Sequence, residues 1–131
     1  MKYKIQINKE SKTCTLLKIE EEFIGNGIIK LPTCFFVGNK KYTITKLGNN
    51  LFENTKITGV VFPNSITEIG DECFKNCDKI ISIIIPSTIK VVGEGIFRGC
   101  KNLKIVRILS TETRLNNSFS GCPITTLVKF K

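Results

Sequence analysis

The chain predicts a solenoid, mainly β, in which parallel strands stack coil on coil, with short second strands, helical turns and an N-terminal β-hairpin cap. Three observations carry this. Phe52, Phe74, Phe97 and Phe119 are 22, 23 and 22 positions apart, and each opens a related phrase: Phe52-Glu-Asn-Thr55, Phe74-Lys-Asn-Cys77, Phe97-Arg-Gly-Cys100 and Phe119-Ser-Gly-Cys122. Gly48, Gly70 and Gly93 keep the same spacing, each preceded by an apolar residue, Leu47, Ile69 or Val92. Pro63 and Pro86 are 23 apart. At such a period each unit buries its apolar face only against its neighbours, which specifies an architecture and not a reaction.

Residues 1–27 lie outside the repeat. Tyr3-Lys-Ile-Gln-Ile and Thr13-Cys-Thr-Leu-Leu-Lys-Ile alternate apolar and polar around Asn8-Lys-Glu-Ser-Lys, the pattern of a hairpin. A first coil would otherwise expose its apolar end, so this hairpin is assigned as the N-terminal cap. The first repeat spans 28–56. Pro32 to Pro63 is 31 positions, and the excess over one unit contains Phe35-Phe-Val-Gly-Asn-Lys-Lys-Tyr-Thr-Ile. Gly38-Asn39 between two β-prone runs makes it a second hairpin, inserted in that repeat.

Repeats follow over 57–79, 80–102 and 103–123. Each starts with a strand such as Leu103-Lys-Ile-Val106-Arg-Ile108 and turns a corner at Pro63-Asn-Ser or Pro86-Ser. A short strand such as Ile66-Thr-Glu-Ile69-Gly70 and the phenylalanine phrase complete the unit. The prolines sit where strands end, because proline has no N–H for a ladder. Residues 124–131, with Leu127-Val-Lys-Phe-Lys131, form a C-terminal cap strand, which closes the coil or leaves an edge open to another chain.

The apolar pattern Leu-x-x-Ile-x-Leu is that of a leucine-rich repeat. The unit Ile80-Ile-Ser-Ile-Ile-Ile85-Pro86-Ser87-Thr-Ile89-Lys-Val-Val92-Gly93-Glu-Gly-Ile96-Phe97-Arg-Gly-Cys100 resembles the BspA-like leucine-rich repeats, and the resemblance covers roughly residues 28–130. Leu51, Cys73, Ile96 and Ser118 stand where that family usually has alanine, Thr55 stands at the first cysteine position, and Asn116 or Asn117 at the last glycine. The resemblance implies a non-catalytic binding scaffold whose relatives are linked to adhesion and surface interaction, and it brings no catalytic motif.

Six cysteines invite a disulfide or a metal reading. Cys77, Cys100 and Cys122 share one repeat position and are expected to stack in a column about 5 Å apart inside the coil. As small buried thiols they fill the turn and donate to loop carbonyls. A Cys77–Cys100 disulfide fits that distance, but the absence of a signal sequence favours a reducing compartment. Zinc is disfavoured, since the chain has no histidine and its nearest pairing is Cys73-x-x-x-Cys77. Catalysis is disfavoured for the same reason: no histidine base, no Gly-rich phosphate loop and no base to activate a thiol. No cofactor is expected.

The surface of the long strands is the candidate site. If Ile57, Val60 and Phe62 point inward, then Thr58, Gly59 and Val61 point outward, followed by Ile81, Ser82 and Ile84, by Lys104, Ile105 and Arg107, and by Thr125, Thr126 and Val128. The outward column Val61, Ile84, Arg107, Val128 is apolar where alternation predicts polar residues. Val61, Ile81, Ile84, Ile105 and Arg107 are therefore expected to bind a protein partner on the concave face. Competing with this are the plain β-preference of branched residues and a register slipped by one.

The net charge of +9 gives a second function class. Lys90, Arg98, Lys101, Lys104, Arg107 and Arg114 crowd the C-terminal half, where an anionic partner (nucleic acid, an acidic protein or a membrane surface) would be steered. Nucleic acid is disfavoured, because the phenylalanines that would stack on bases belong to the core. Self-association through coil ends or the apolar patch stays open. The N-terminus Met1-Lys-Tyr-Lys-Ile-Gln is too charged for a secretory signal, and no apolar run approaches the roughly 20 residues that span a bilayer. The expected compartment is the cytoplasm, with surface display by a route lacking a signal peptide as the alternative.

Overall fold

The structure, a computed structural model, describes residues 2–110, 112–123 and 125–130, the side chains of Leu127 and Lys129 excepted. Met1 of the cap hairpin and Ile124 and Lys131 of the C-terminal strand lie outside the described residues.

Strands β1 (Tyr3–Asn8) and β2 (Thr13–Ile19) form an antiparallel hairpin. The Asn8 side chain closes its turn by accepting from the amides of Glu10 and Ser11. A four-residue helix, α1 (Glu21–Ile24), leads to β3 (Ile28–Lys30). The inserted hairpin is β4 (Cys34–Val37) and β5 (Lys40–Leu47), antiparallel about Gly38-Asn39.

Beyond this point every pairing is parallel. Long and short strands alternate through β6 (Gly59–Val61), β7 (Glu68–Ile69), β8 (Ser82–Ile85), β9 (Val91–Val92) and β10 (Ile105–Ile108), and a second long strand, β11 (Leu127–Phe130), follows β10. One sheet runs β1-β2-β5-β7-β9 with β4 attached to β5. The long strands make two further sheets, β3-β6 and β8-β10-β11.

The third side of each coil is the phenylalanine turn. The amides of Thr55, Cys77, Cys100 and Cys122 donate three residues back to the carbonyls of Phe52, Phe74, Phe97 and Phe119. A left-handed residue stands two positions before each phenylalanine (Asn50, Glu72, Gly95, Asn117) and another two after it (Asn54, Asn76, Gly99, Gly121). Two such residues bracket a single helical turn and stop it from propagating, because a right-handed helix cannot pass through positive φ. Phe52, Phe74 and Phe97 are fully buried. Successive rings stack at 5.5, 5.8 and 6.0 Å. Each such ring contributes about 1.5–3 kcal/mol through burial, and each stacked pair about 0.5–1.5 kcal/mol more.

The glycines before the turns serve close approach of one coil to the next. A Cβ at Gly70 would lie 2.8 Å from the backbone nitrogen of Asn49, and one at Gly93 2.6 Å from that of Asp71. Neither has positive φ. The expectation that Asn116 or Asn117 takes the last glycine place is corrected by the bridge pairing Glu94 with Asn116, which sets Leu115 opposite Gly93. Asn117 instead joins the left-handed column with Gly95, at φ 47°.

Two single-residue deletions account for the irregularities. Phe52 to Pro63 is 11 positions, whereas Phe74 to Pro86 is 12. The shorter arc brings β6 in out of step, and among the described residues no backbone hydrogen bond joins β6 to β8. Pro86 to Phe97 is 11 positions, whereas Leu109 to Phe119 is 10. There the short strand shrinks to the single Glu94–Asn116 bridge, and a side chain, Leu115, occupies the place where the coils otherwise touch.

Candidate interaction face

The long strands present two outward rows. In the first, Lys30 lies opposite Val61 and Arg107 lies opposite Ile84, and the two pairs correspond by sequence spacing, since Val61 and Ile84 each stand two positions before a corner proline. In the second, Ile28 lies opposite Gly59, followed by Ser82 opposite Ile105. Ile83, Ile85, Val106 and Ile108 point the other way and are buried, as a two-residue period requires.

Of the residues expected to bind, Val61 is 49% exposed, Ile81 53% and Ile84 49%. Arg107 is exposed and Ile105 half-buried. Ile81 and Ser82 face outward in succession because alternation begins only after Ile81. Its carbonyl accepts from the amides of both Lys104 (2.7 Å) and Ile105 (3.3 Å), an irregular start to the ladder. Val128 is corrected: the backbone pairs it with Val106, and Lys129 is the residue opposite Arg107. Counting from Phe97 and Phe119 gives this register directly, since Arg107 and Lys129 each follow their phenylalanine by 10 positions.

The sequence reasoning missed Ile28, which at 72% is the most exposed large apolar side chain among the described residues. It lies across Gly59, whose missing side chain leaves its flank uncovered, with its Cγ1 3.7 Å from where a Cβ would stand. The signal was available in Ile28-Ile-Lys30, the strand position of the first repeat, which the comparison of outward residues did not include. Ile28 and Val61 on the β3–β6 ladder, and Ile81 and Ile84 at β8, are thus exposed apolar side chains on the long-strand side, with Lys30 opposite Val61 and Arg107 opposite Ile84. No acidic residue occurs in β3, β6, β8, β10 or β11.

The carboxylates gather elsewhere. An open groove of about 1060 Å³ between the cap and the first phenylalanine turn is lined by Glu20, Glu21, Glu22 and Glu53. The six C-terminal cations do not share a surface. Lys90 bonds the Ser110 hydroxyl beside β9, Arg98 pairs with Glu72 at 2.7 Å in a turn, and Lys104 and Arg107 belong to the long-strand side.

The cysteines are all free thiols. Those of Cys77, Cys100 and Cys122 donate to the carbonyls of Phe52, Phe74 and Phe97 in the preceding coil, at 3.0, 3.1 and 3.0 Å. Burial pushes the Cys100 thiol up to about 12, and raises Cys77 and Cys122 as well. Protonated thiols committed to carbonyls are poor metal ligands. Among the described residues no three Cys, Asp or Glu side chains are grouped to hold a metal, and no helix is long and apolar enough to cross a membrane.

The sequence matches the BspA type leucine-rich repeat region, in 6 copies, over residues 39–130. The chain belongs to this BspA-type family. Similar folds occur in solved bacterial proteins. A leucine-rich repeat protein of Bacteroides capillosus superposes with a TM-score of 0.80 at 25% identity, over 99% of this chain and 94% of its own. A leucine rich cell surface protein of Faecalibacterium prausnitzii gives 0.75 at 23% identity, over 99% of this chain and 41% of its own. The pneumococcal vaccine antigen PcpA gives 0.65 at 17%, over 98% and 44%. The chain therefore spans less than half the length of the latter two. No curated protein matches the sequence significantly. As a BspA-type repeat protein, the chain has its strands and turns committed to the stack, which leaves its exposed faces for interaction.

Proposed function

We propose that this BspA-type protein is a non-catalytic protein-interaction module that binds a partner on its long-strand face through Val61, Ile81, Ile84, Ile105 and Arg107, with Ile28 beside them. The observation that carries the reading is the exposure of Ile28, Val61, Ile81 and Ile84 on the long-strand side, beside Lys30 and Arg107 and on strands without a carboxylate. Clustered exposed branched residues are costly on a solvated sheet, and a partner with an apolar centre and an acidic rim would cover them. Strand preference alone explains Val and Ile in strands but not their gathering on the outward rows of neighbouring coils.

Adhesion or surface recognition is a setting in keeping with the Faecalibacterium neighbour, a cell surface protein. The binding face would serve equally in the cytoplasm. Binding of an anionic partner by the basic C-terminal half has weaker support, because its cations are spread over several sides of the coil and Arg98 is already paired.

A crosslinked pull-down from lysate and surface fractions of the native cell, comparing wild type with Ile84→Asp at low and moderate salt, tests the reading. A protein retained by wild type and lost by the variant is expected. Equal recovery by both baits overturns it, and recovery that falls with salt for both moves the search to the basic half.

A further inference from the structure

The inserted hairpin carries a feature that neither the coil nor the long-strand face uses. At its tip Phe36 is 65% exposed and Val37 48%. They are adjacent in sequence, so their side chains leave opposite faces of a two-stranded ribbon. Each faces a lysine across the ladder: Phe36 pairs with Lys41, and Val37 with Lys40. Both lysines are exposed, and neither is in an ion pair among the described residues. From Phe23 to Phe52 there is no acidic residue at all. At the hairpin base the Tyr3 ring lies 4.9 Å from that of Phe35, and the Lys2 ammonium lies 5.5 Å from the Tyr3 ring, which adds a cation on that side.

A folded protein partner fits this tip poorly. Two side chains on opposite faces cannot both be covered by one surface, and the tip is far smaller than the roughly 800 Å² per partner of a stable interface. A fluid interface entered end-on covers both faces at once. Lysines at the level of the apolar residues then meet lipid phosphates while their stems lie along the acyl boundary. We propose that the hairpin β4–β5 docks on an anionic lipid surface, with Phe36 and Val37 entering the headgroup region and Lys40 and Lys41 pairing with lipid phosphates. The turn suits this role: Gly38 at φ 65° opens a two-residue loop, the tightest reversal available, so the apolar pair lies at the extremity.

The chain has no tryptophan, so Phe36→Trp places a single reporter at the tip. Wild type and variants, shown to be folded by far-UV circular dichroism, are sedimented with vesicles of phosphatidylcholine alone and of equal parts phosphatidylcholine and phosphatidylserine. Binding only to the anionic vesicles is expected, with the emission of the introduced indole shifted to shorter wavelength. Lys40→Gln with Lys41→Gln weakens binding about 25-fold, roughly fivefold for each lysine. Phe36→Ser with Val37→Ser abolishes it. Absence of wild-type binding overturns the proposal. So does binding that leaves the tip emission unshifted and the tip variants unimpaired, since the lipid would then lie against another surface. A tip emission shift produced by a protein partner but not by vesicles overturns it as well.

Discussion

The Cys100 thiol donates to the carbonyl oxygen of Phe74, 3.1 Å away in the coil before it. That carbonyl already accepts from the Cys77 amide within its own turn, so the thiol takes up its remaining lone pair and joins two coils there. The contact recurs at Cys77 and Cys122. Cys100→Ala removes the donor and is expected to cost about 1–3 kcal/mol, whereas Cys100→Ser keeps one and costs less. Urea unfolding of the two variants separates them. Equal losses would mean that the thiol acts through its volume alone. The pH dependence has a definite sign. Burial raises the folded thiol from 9.0 to about 12, so the unfolded chain ionises first. The contribution of Cys100 is therefore fully present below pH 9.0 and is lost as pH rises towards about 12.

Gly93→Ala places a methyl group 2.6 Å from the Asp71 nitrogen and 2.7 Å from the Gly70 carbonyl carbon, both backbone atoms that cannot rotate away. A loss of about 3 kcal/mol is expected, at the upper end for overpacking, because two coils must separate. Gly27→Ala, with nothing within 4 Å, is the control and should be nearly neutral. Thermal unfolding of both decides whether close approach, rather than glycine's flexibility, accounts for the column.

Much of the fold was legible because stacking puts the same residue type in the same place in every coil, so Phe52, Phe74, Phe97 and Phe119 announce their own ladder. What escaped were the departures from strict repetition. The last glycine place was expected at Asn116 or Asn117, whereas counting back from Phe119 by the four positions that separate Gly93 from Phe97 gives Leu115; the deletion lies between Leu109 and Phe119, so spacing carried over from the preceding coil overshoots. Val128 was misplaced by a similar one-residue miscount. Ile28 escaped because the comparison of outward positions began at the strand of Ile57 and left out the strand that opens the first repeat. The hairpin tip escaped because alternation reports which face a residue takes, not whether the rest of the chain covers that face.

The break between β6 and β8 has a measurable consequence. β10 is hydrogen-bonded on both sides, to β8 and β11, whereas β6 is bonded to β3 alone. Opening β6 disrupts one ladder instead of two, so its amides should exchange with solvent deuterium faster than those of β10. Equal protection of Val60 and Val106 would show that the gap does not divide the long-strand face into separately opening parts.

Ile84→Asp and Val61→Asp change side chains that point to solvent, so each should alter stability by no more than about 0.5 kcal/mol. Against a partner that covers these side chains, each should weaken binding by about 2 kcal/mol, or roughly 30-fold. Ile85→Asp, one residue along and fully buried, should instead unfold the chain. Calorimetric titration beside thermal unfolding distinguishes the two behaviours. Similar stability losses for Ile84→Asp and Ile85→Asp would mean that the strand's alternation is misassigned.

Glu72 sits at φ 51° in a column otherwise held by Asn50, Gly95 and Asn117. A left-handed conformation costs a long side chain about 1–2 kcal/mol, and asparagine less. Against that cost, the Glu72 carboxylate pairs with Arg98 at 2.7 Å and with Lys75 at 3.6 Å. Both pairs are partly exposed, and such pairs contribute about 0.2–1 kcal/mol each. Glu72→Asn should therefore leave stability within about 0.5 kcal/mol of wild type at low salt, with relief of strain offsetting the lost pairs. Near 1 M salt, where the screening length falls to about 3 Å, the ion pairs weaken and the strain does not. The variant should then be more stable than wild type. Denaturant midpoints at the two salt concentrations test this, and a variant that is less stable at both would show that the ion pairs, not the backbone, govern the position.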